Sequence, residues 1–303
     1  MLRLGYNTRN GKELQMDIIK SFMLENGLFR GKYIAADSVV AGIWEKHDYP
    51  KVLHPLLTQA VLIALALSAG IKYQGVFSLQ IKGNGPISSL FVDVTTDRKV
   101  RGYMCLDDSI QNWSALKTLT DLFGRGQLIF SVAGLGQEPY QGIVALNHDT
   151  LAEVVTDYFR LSEQIDTELI IRERAGQGRC LLLQKMPHQA GEISVDSVEK
   201  SPDSLWEEVT VLLNSVRDSE LFSDKLTPDE VLFRLFHANK LVVFEPQTPV
   251  AECRCYRGKM ENFLKRMSVQ ERQSLYNQSG EIEVVCQFCG EKYQFKKSDF
   301  GDC

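Results

Sequence analysis

The sequence predicts an α+β protein in three parts. A mixed α and β core domain is expected over 1–198, a helical linker over 199–252 and a small metal-binding domain over 253–303. Three observations predict this. In the first part, runs of strand-like alternation joined by turns are interrupted by helix-like periodicity, without the regular strand–helix alternation of a doubly wound parallel sheet. In the second, helix start signals recur, and acidic residues outnumber basic ones eleven to five, a local charge of −6. In the third, five of the chain's seven cysteines fall within the last 51 residues.

Taken in order, residues 12–24 carry apolar side chains at helical spacing and predict a helix. A longer helix is expected over 53–69, stopped by Gly70. The period then changes. Val76, Leu79 and Ile81 mark a strand that ends at the turn signal Gly83-Asn84-Gly85-Pro86. Leu90, Val92 and Val94 alternate with Phe91, Asp93 and Thr95, as a half-buried strand does. Further strands are expected over 127–132, 143–146, 168–172 and 180–184, and a helix over 151–162.

The linker opens with Ser204-Leu205-Trp206-Glu207, which has capping-box spacing. Leu205, Val209, Leu212, Leu213 and Val216 then recur at helical intervals. Thr227-Pro228-Asp229-Glu230 is a second capping box with Pro at the first helical position, and Val231, Leu232, Leu235 and Phe236 form that helix's apolar face. A short β-type run over 241–244 stops before Pro246. Helices this short are marginal alone in water, so their apolar faces are expected to pack on the first domain. Ser268-Val269-Gln270-Glu271 starts one more helix in the third part.

Composition excludes several classes. The 303 residues are 44% hydrophobic and 24% charged, with 22 Gly and 9 Pro, which is neither collagenous nor disordered usage. A net charge of −5 argues against wrapping nucleic acid through bulk charge. The longest apolar run, Ala60 to Leu67, falls short of the ~18 residues of a membrane span and reads as a core helix. The N-terminal Met1-Leu2-Arg3-Leu4-Gly5-Tyr6-Asn7 has no apolar stretch of an export signal. A cytoplasmic location with reduced thiols and no membrane partner is therefore expected.

The cysteines carry the chemistry. Cys253-Arg254-Cys255 and Cys286-Gln287-Phe288-Cys289 are two close pairs separated by 30 residues. Four thiolates so arranged match one tetrahedral zinc ion, and Gly290 can take positive φ where the backbone turns around it. A segment of some 50 residues builds little core, and structural zinc supplies ~10–16 kcal/mol in small fingers. Four sulfur ligands close the site to hydrolytic chemistry. The zinc-deaminase pattern is absent, since Val285 precedes Cys286 and none of His47, His54, His148, His188 and His237 is followed by x-Glu. No enzymatic activity is expected. The thiolates remain oxidisable, and joining them as disulfides expels the metal. A loss of order 10 kcal/mol exceeds what a small domain can spare, so oxidation is expected to unfold this part. Cys105 and Cys180, in strand-like stretches, are expected to be small core residues, and Cys303 an inert tail thiol.

At this point the chain resembles the 33 kDa chaperonin family of redox-regulated heat-shock chaperones. The resemblance rests on Cys253, Cys255, Cys286 and Cys289 with their spacing, on the Cys286-Gln287-Phe288-Cys289-Gly290-Glu291-Lys292-Tyr293-Gln294-Phe295 stretch and on Leu232-Phe233-Arg234-Leu235-Phe236-His237. Tyr158-Phe159-Arg160-Leu161-Ser162-Glu163-Gln164, Pro139-Tyr140-Gln141-Gly142, Val100-Arg101-Gly102-Tyr103 and Gly83-Asn84-Gly85-Pro86 are similar to its N-terminal core. The resemblance implies an ATP-independent holdase, inactive when reduced and bound to one Zn2+ through the four cysteines. It implies disulfides Cys253–Cys255 and Cys286–Cys289 on oxidation, zinc release, an unfolded linker, and capture of unfolding client proteins. A reduced monomer and an oxidised homodimer go with it. The family often has an acidic residue soon after the histidine of the Leu-Phe-His motif, whereas Ala238-Asn239 follow His237, which puts the docking of the linker in question.

Two other readings are open to the sequence. One is a constitutive zinc ribbon that binds nucleic acid or another partner through Lys259, Lys265 and Arg266, although Glu261, Glu271, Glu281 and Glu283 are interleaved with them. The other is a thiol oxidoreductase on Cys286 and Cys289, disfavoured because a turn and strand-like Tyr293 and Phe295 follow in place of a helix. Gly124-Arg125-Gly126 and Gly134-Leu135-Gly136 are not dinucleotide fingerprints, and no P-loop occurs.

Overall fold

The computed structural model describes residues 7–9, 12–14, 17–134, 140–187 and 200–300. The expected boundary at 198/199, Gly134-Leu135-Gly136 beyond its first residue, Pro139, His188 and Cys303 lie outside the described residues.

A short hairpin of β1 (Asn7–Arg9) and β2 (Lys12–Leu14) precedes β3 (Ile18–Leu24), β4 (Phe29–Ala35) and helix α1 (Asp37–Trp44). The helix expected over 12–24 is therefore corrected: the described residues there are extended. Ile19 faces one core while Phe22 and Leu24 face another. A strand buried on both faces reads as a nearly continuous apolar run, which periodicity cannot separate from a helix. Asp17 holds the start of α1, its carboxylate accepting from the backbone N–H of Ser38 and Val39 at 2.9 and 2.7 Å.

The long helix α2 (His54–Ser68) forms as expected. With the turn before it, Lys51–Ser68 has a mean hydropathy of 1.5 over 18 residues, long and apolar enough to cross a membrane by length and composition. That exceeds the shorter run counted from sequence, but 72% of the segment is buried inside the fold. It is apolar nearly all round because a sheet covers it on each side. The first sheet holds β5 (Gly75–Lys82), β6 (Ile87–Thr95), β7 (Lys99–Leu106), β8 (Gln127–Gly134) and β9 (Tyr140–Ala145), antiparallel in the order β7-β6-β5-β8-β9. Helices α3 (Leu119–Phe123) and α4 (Leu151–Tyr158) follow, the latter widening into one π-helical turn over Phe159–Glu163. The second sheet adds β10 (Thr167–Arg174) and β11 (Gln177–Lys185) in the order β10-β11-β4-β3. Cys180 on β11 is wholly buried, as expected. Cys105 on β7 is exposed, a correction: strand alternation gives the inner position to Met104 and turns residue 105 outward.

The linker is packed and stitched. Helix α5 (Pro202–Asn214) starts at Ser201, whose side chain accepts from the Ser204 N–H at 3.2 Å. The start expected at Ser204 is thus three residues late, because Pro202 is suited to the first helical position. Then come α6 (Asp218–Leu221) and α7 (Pro228–Phe236), the last with the expected capping box of Thr227 and Glu230. Leu205, Val209, Leu213, Val216, Val231, Leu232, Leu235 and Phe236 bury against Phe22, Phe29, Tyr33, Ile170 and Leu181 on the outer face of the second sheet. Asn239, which follows Ala238 where the family often has an acidic residue, is 1% exposed: its carbonyl accepts from the Glu25 N–H and its amide donates to Glu208. The tail then adds β12 (Val242–Val243) antiparallel to β3 and β13 (Val250–Ala251) parallel to β7, so one segment edges both sheets.

The C-terminal unit holds α8 (Arg257–Lys265), α9 (Val269–Ser274) and a hairpin of β14 (Glu281–Val285) with β15 (Lys292–Lys296). Its buried core is small: Leu264, Ile282 and Phe295.

Candidate metal centre

The β14–β15 hairpin builds half of the centre. Its connection carries Cys286 and Cys289, and the backbone folds back with the Gly290 and Cys289 N–H groups donating to the Cys286 carbonyl at 2.8 and 3.3 Å. Gly290 sits at φ +70°, as the turn requires. The other half comes from the end of β13, where Cys253 and Cys255 precede α8. All four sulfurs lie within 4.8 Å of one another, so the structure brings together the four residues singled out from sequence. The Cys253–Cys286 and Cys255–Cys289 sulfurs are 3.7 and 3.3 Å apart. A tetrahedral ion bound about 2.3 Å from each sulfur sets them roughly 3.8 Å apart, so the donor set fits zinc. None of the histidines joins the cluster among the described residues.

Burial works against ionising Cys253, yet the Cys255 N–H and the neighbouring thiols hold it down at about 7. Burial pushes Cys286 and Cys289 up. A cleft of about 410 Å³ beside the centre is lined by Cys253, Cys255 and Cys289, while Cys286 is only 6% exposed.

The centre is seated on the outer face of the first sheet. Asp93 on β6 accepts from Ser78 Oγ at 2.6 Å, from Arg101 Nε and Nη2 at 2.9 and 2.7 Å, and from Arg254 Nη2 at 2.7 Å. The Arg101 guanidinium lies 3.7 Å from the centre of the Phe288 ring. The Tyr103 ring meets Phe288 edge-on at 4.7 Å and stacks on Phe91 at 4.9 Å. Sequence reasoning missed Asp93, Arg101, Tyr103, Arg254 and Phe288 as a set. The available signal was that Arg254 and Phe288 are the polar-charged and aromatic residues enclosed by the two cysteine pairs.

Comparison with known proteins agrees with this architecture. A family model described as Hsp33 protein matches residues 17–296. A 33 kDa chaperonin of Nitrosococcus oceani is 33% identical over 283 residues, covering 93% of this chain and 92% of its own length. One from Escherichia coli O7:K1 is 30% identical over 292 residues, covering 95% of each. The crystal structure of a 33 kDa chaperonin from Thermotoga maritima superposes with a TM-score of 0.76 at 21% identity, covering 95% of this chain and 97% of that one. The α+β core, the linker laid across it and the match over nearly the full length place this chain in the Hsp33 family.

Proposed function

We propose that this protein is a redox-regulated, ATP-independent holdase. Family membership supports a chaperone. The finer reading is supported by one observation above others: the apolar outer face of the second sheet is covered by a linker that continues directly into a unit with three buried core residues and four clustered cysteines. Cys253, Cys255, Cys286 and Cys289 hold one zinc ion in the reduced form. The metal supplies the stability that so small a core lacks.

Peroxide supplies the oxidant. For each disulfide, two thiolates give up two electrons, and one peroxide takes them up with two protons from the solvent and is reduced to two waters. Two disulfides, Cys253–Cys255 and Cys286–Cys289, consume two peroxides and leave the ion without sulfur ligands. The C-terminal unit over 253–303 unfolds, the linker over 199–252 loosens, and the face formed by Phe22, Phe29, Tyr33 and Leu181 becomes available to unfolding client proteins. The core over 1–198 carries that face and the homodimer contact of the oxidised form; the reduced form is a monomer. A reducing cytoplasm keeps the switch off.

Nucleic-acid binding finds less support. Four basic residues of the C-terminal unit, Lys265 among them, are paired: Lys265 with Glu261, Arg257 with Asp299, Lys292 with Glu283 and Lys296 with Glu281. Light scattering of a heat-unfolding client decides the reading. Suppression by the peroxide-treated, zinc-free protein alone is expected. Equal suppression by the reduced, zinc-loaded protein, or none by either, overturns it.

A further inference from the structure

Arg254 is enclosed by Cys253 and Cys255, and Phe288 lies directly before Cys289, so the sulfur cluster fixes the backbone of both. Both side chains reach the outer face of the first sheet. There they meet residues that are themselves paired across strands: Asp93 stands opposite Arg101 and Ser78, and Phe91 opposite Tyr103. The Asp93 side chain is 9% exposed and is shared by two guanidinium groups. Charge-assisted hydrogen bonds in such a setting are strong, and removing one partner of a buried pair is costly.

Immediately upstream lies the tail of the linker. Strand β13 is two residues long, and Val250 is 43% exposed, so its pairing to β7 has little burial of its own. Bonds from Val250 N–H to the Arg98 carbonyl (3.0 Å) and from Glu252 N–H to the Val100 carbonyl (2.9 Å) set its register, Lys99 reaches Glu252 at 2.7 Å, and α1 packs beside it. It is anchored at both ends. On one side Gln247 bonds Ile19 and Arg98. On the other stand Arg254 and Phe288.

We propose that Arg254 and Phe288 form a clasp on Asp93, Arg101 and Tyr103 that keeps the linker tail paired to the first sheet, and that opening the cysteine cluster reaches the linker through this clasp. The regulatory meaning rests on the holdase reading; the mechanical statement does not. The clasp depends on the spacing between Arg254 and Phe288, which the four sulfurs set. Joining the sulfurs within each motif, or removing the metal, lets the two motifs separate. One half of the clasp then leaves the sheet, and β13 loses its downstream anchor.

Hydrogen–deuterium exchange on the full-length, reduced, zinc-loaded protein tests this, with bound zinc measured in the same samples. In Arg254→Ala, amides 250–252 are expected to exchange about tenfold faster, the effect of losing one charge-assisted hydrogen bond. The acceleration extends into 202–236, with zinc still one per chain. Asp93→Asn, which leaves the sequence of the C-terminal unit untouched, is the second variant and is expected to give the same pattern. Acceleration confined to 253–300, or wild-type exchange throughout with zinc retained, overturns the clasp. Light scattering with the wild-type protein tests the holdase reading separately.

Discussion

Arg179 Nη1 lies 2.6 Å from Asp37 Oδ1 with both side chains almost wholly enclosed, at 1% and 4% exposure. The Asp37 carboxylate also accepts from the Gly178 N–H at 3.0 Å, and Arg179 Nε donates to the Leu221 carbonyl at 3.2 Å. One ion pair thus ties β11 to α1 and to the end of α6 in the linker. Arg179→Met leaves a buried carboxylate without its cation and is expected to cost about 3–5 kcal/mol. Urea unfolding measures it. A loss under about 1 kcal/mol would show that the pair carries no net weight.

Phe236 is fully buried in the linker and its ring stacks on Phe22 of the second sheet, centroids 5.7 Å apart. Truncating a buried Phe typically costs about 3–5 kcal/mol. The linker has a cheaper response than global unfolding, which is to leave the sheet. Reduced Phe236→Ala is therefore expected to bind an apolar-surface dye as the oxidised wild type does, while the core melts at an unchanged temperature. A dark reduced variant with a lowered core melting point would contradict this.

Glu173 on β10 has a buried, unpartnered Oε1. Burial pushes its carboxyl up to about 7 from 4.5, against a bond to Gln59 that pulls the other way. A carboxyl that holds its proton more tightly in the fold than in the unfolded chain weakens the fold as pH rises across that window, and the penalty is complete above it. Glu173→Gln is expected to add about 1 kcal/mol at pH ~8, allowing for solvent screening, and nothing at pH ~4.5. Thermal melts at the two pH values check the sign.

In the cluster the sulfurs of the two motifs come within 3.7 Å, Cys253 to Cys286, and 3.3 Å, Cys255 to Cys289. Pairing within each motif follows from family resemblance. Peptide mapping after peroxide is expected to find Cys253–Cys255 and Cys286–Cys289. Cross-motif pairs would mean that proximity in the reduced array dictates the product.

What the sequence made legible follows from how local each signal was. The cysteine quartet was readable because a metal site needs residue type and spacing, and both are one-dimensional. The capping boxes at Thr227 and Ser268 were readable for the same reason. Strand β3 was not, because burial on both faces erases the period that separates strand from helix. Cys105 was misplaced because its strand was recognised without its phase. The seat of the cysteine cluster was invisible, since Asp93 and Arg254 lie 161 positions apart and neither has meaning without the other.

The linker tail lies along an edge of both sheets. Through β12 and β13 it supplies one edge strand of each sheet, with Phe244 and Gln247 bonding Ser21 and Ile19, and Val250 and Glu252 bonding Arg98 and Val100. Its withdrawal uncovers more than greasy side chains. It leaves two rows of backbone donors and acceptors open, and any extended polypeptide satisfies those irrespective of its side chains. A protein that must catch many different unfolding chains would then carry a grip for what all of them share.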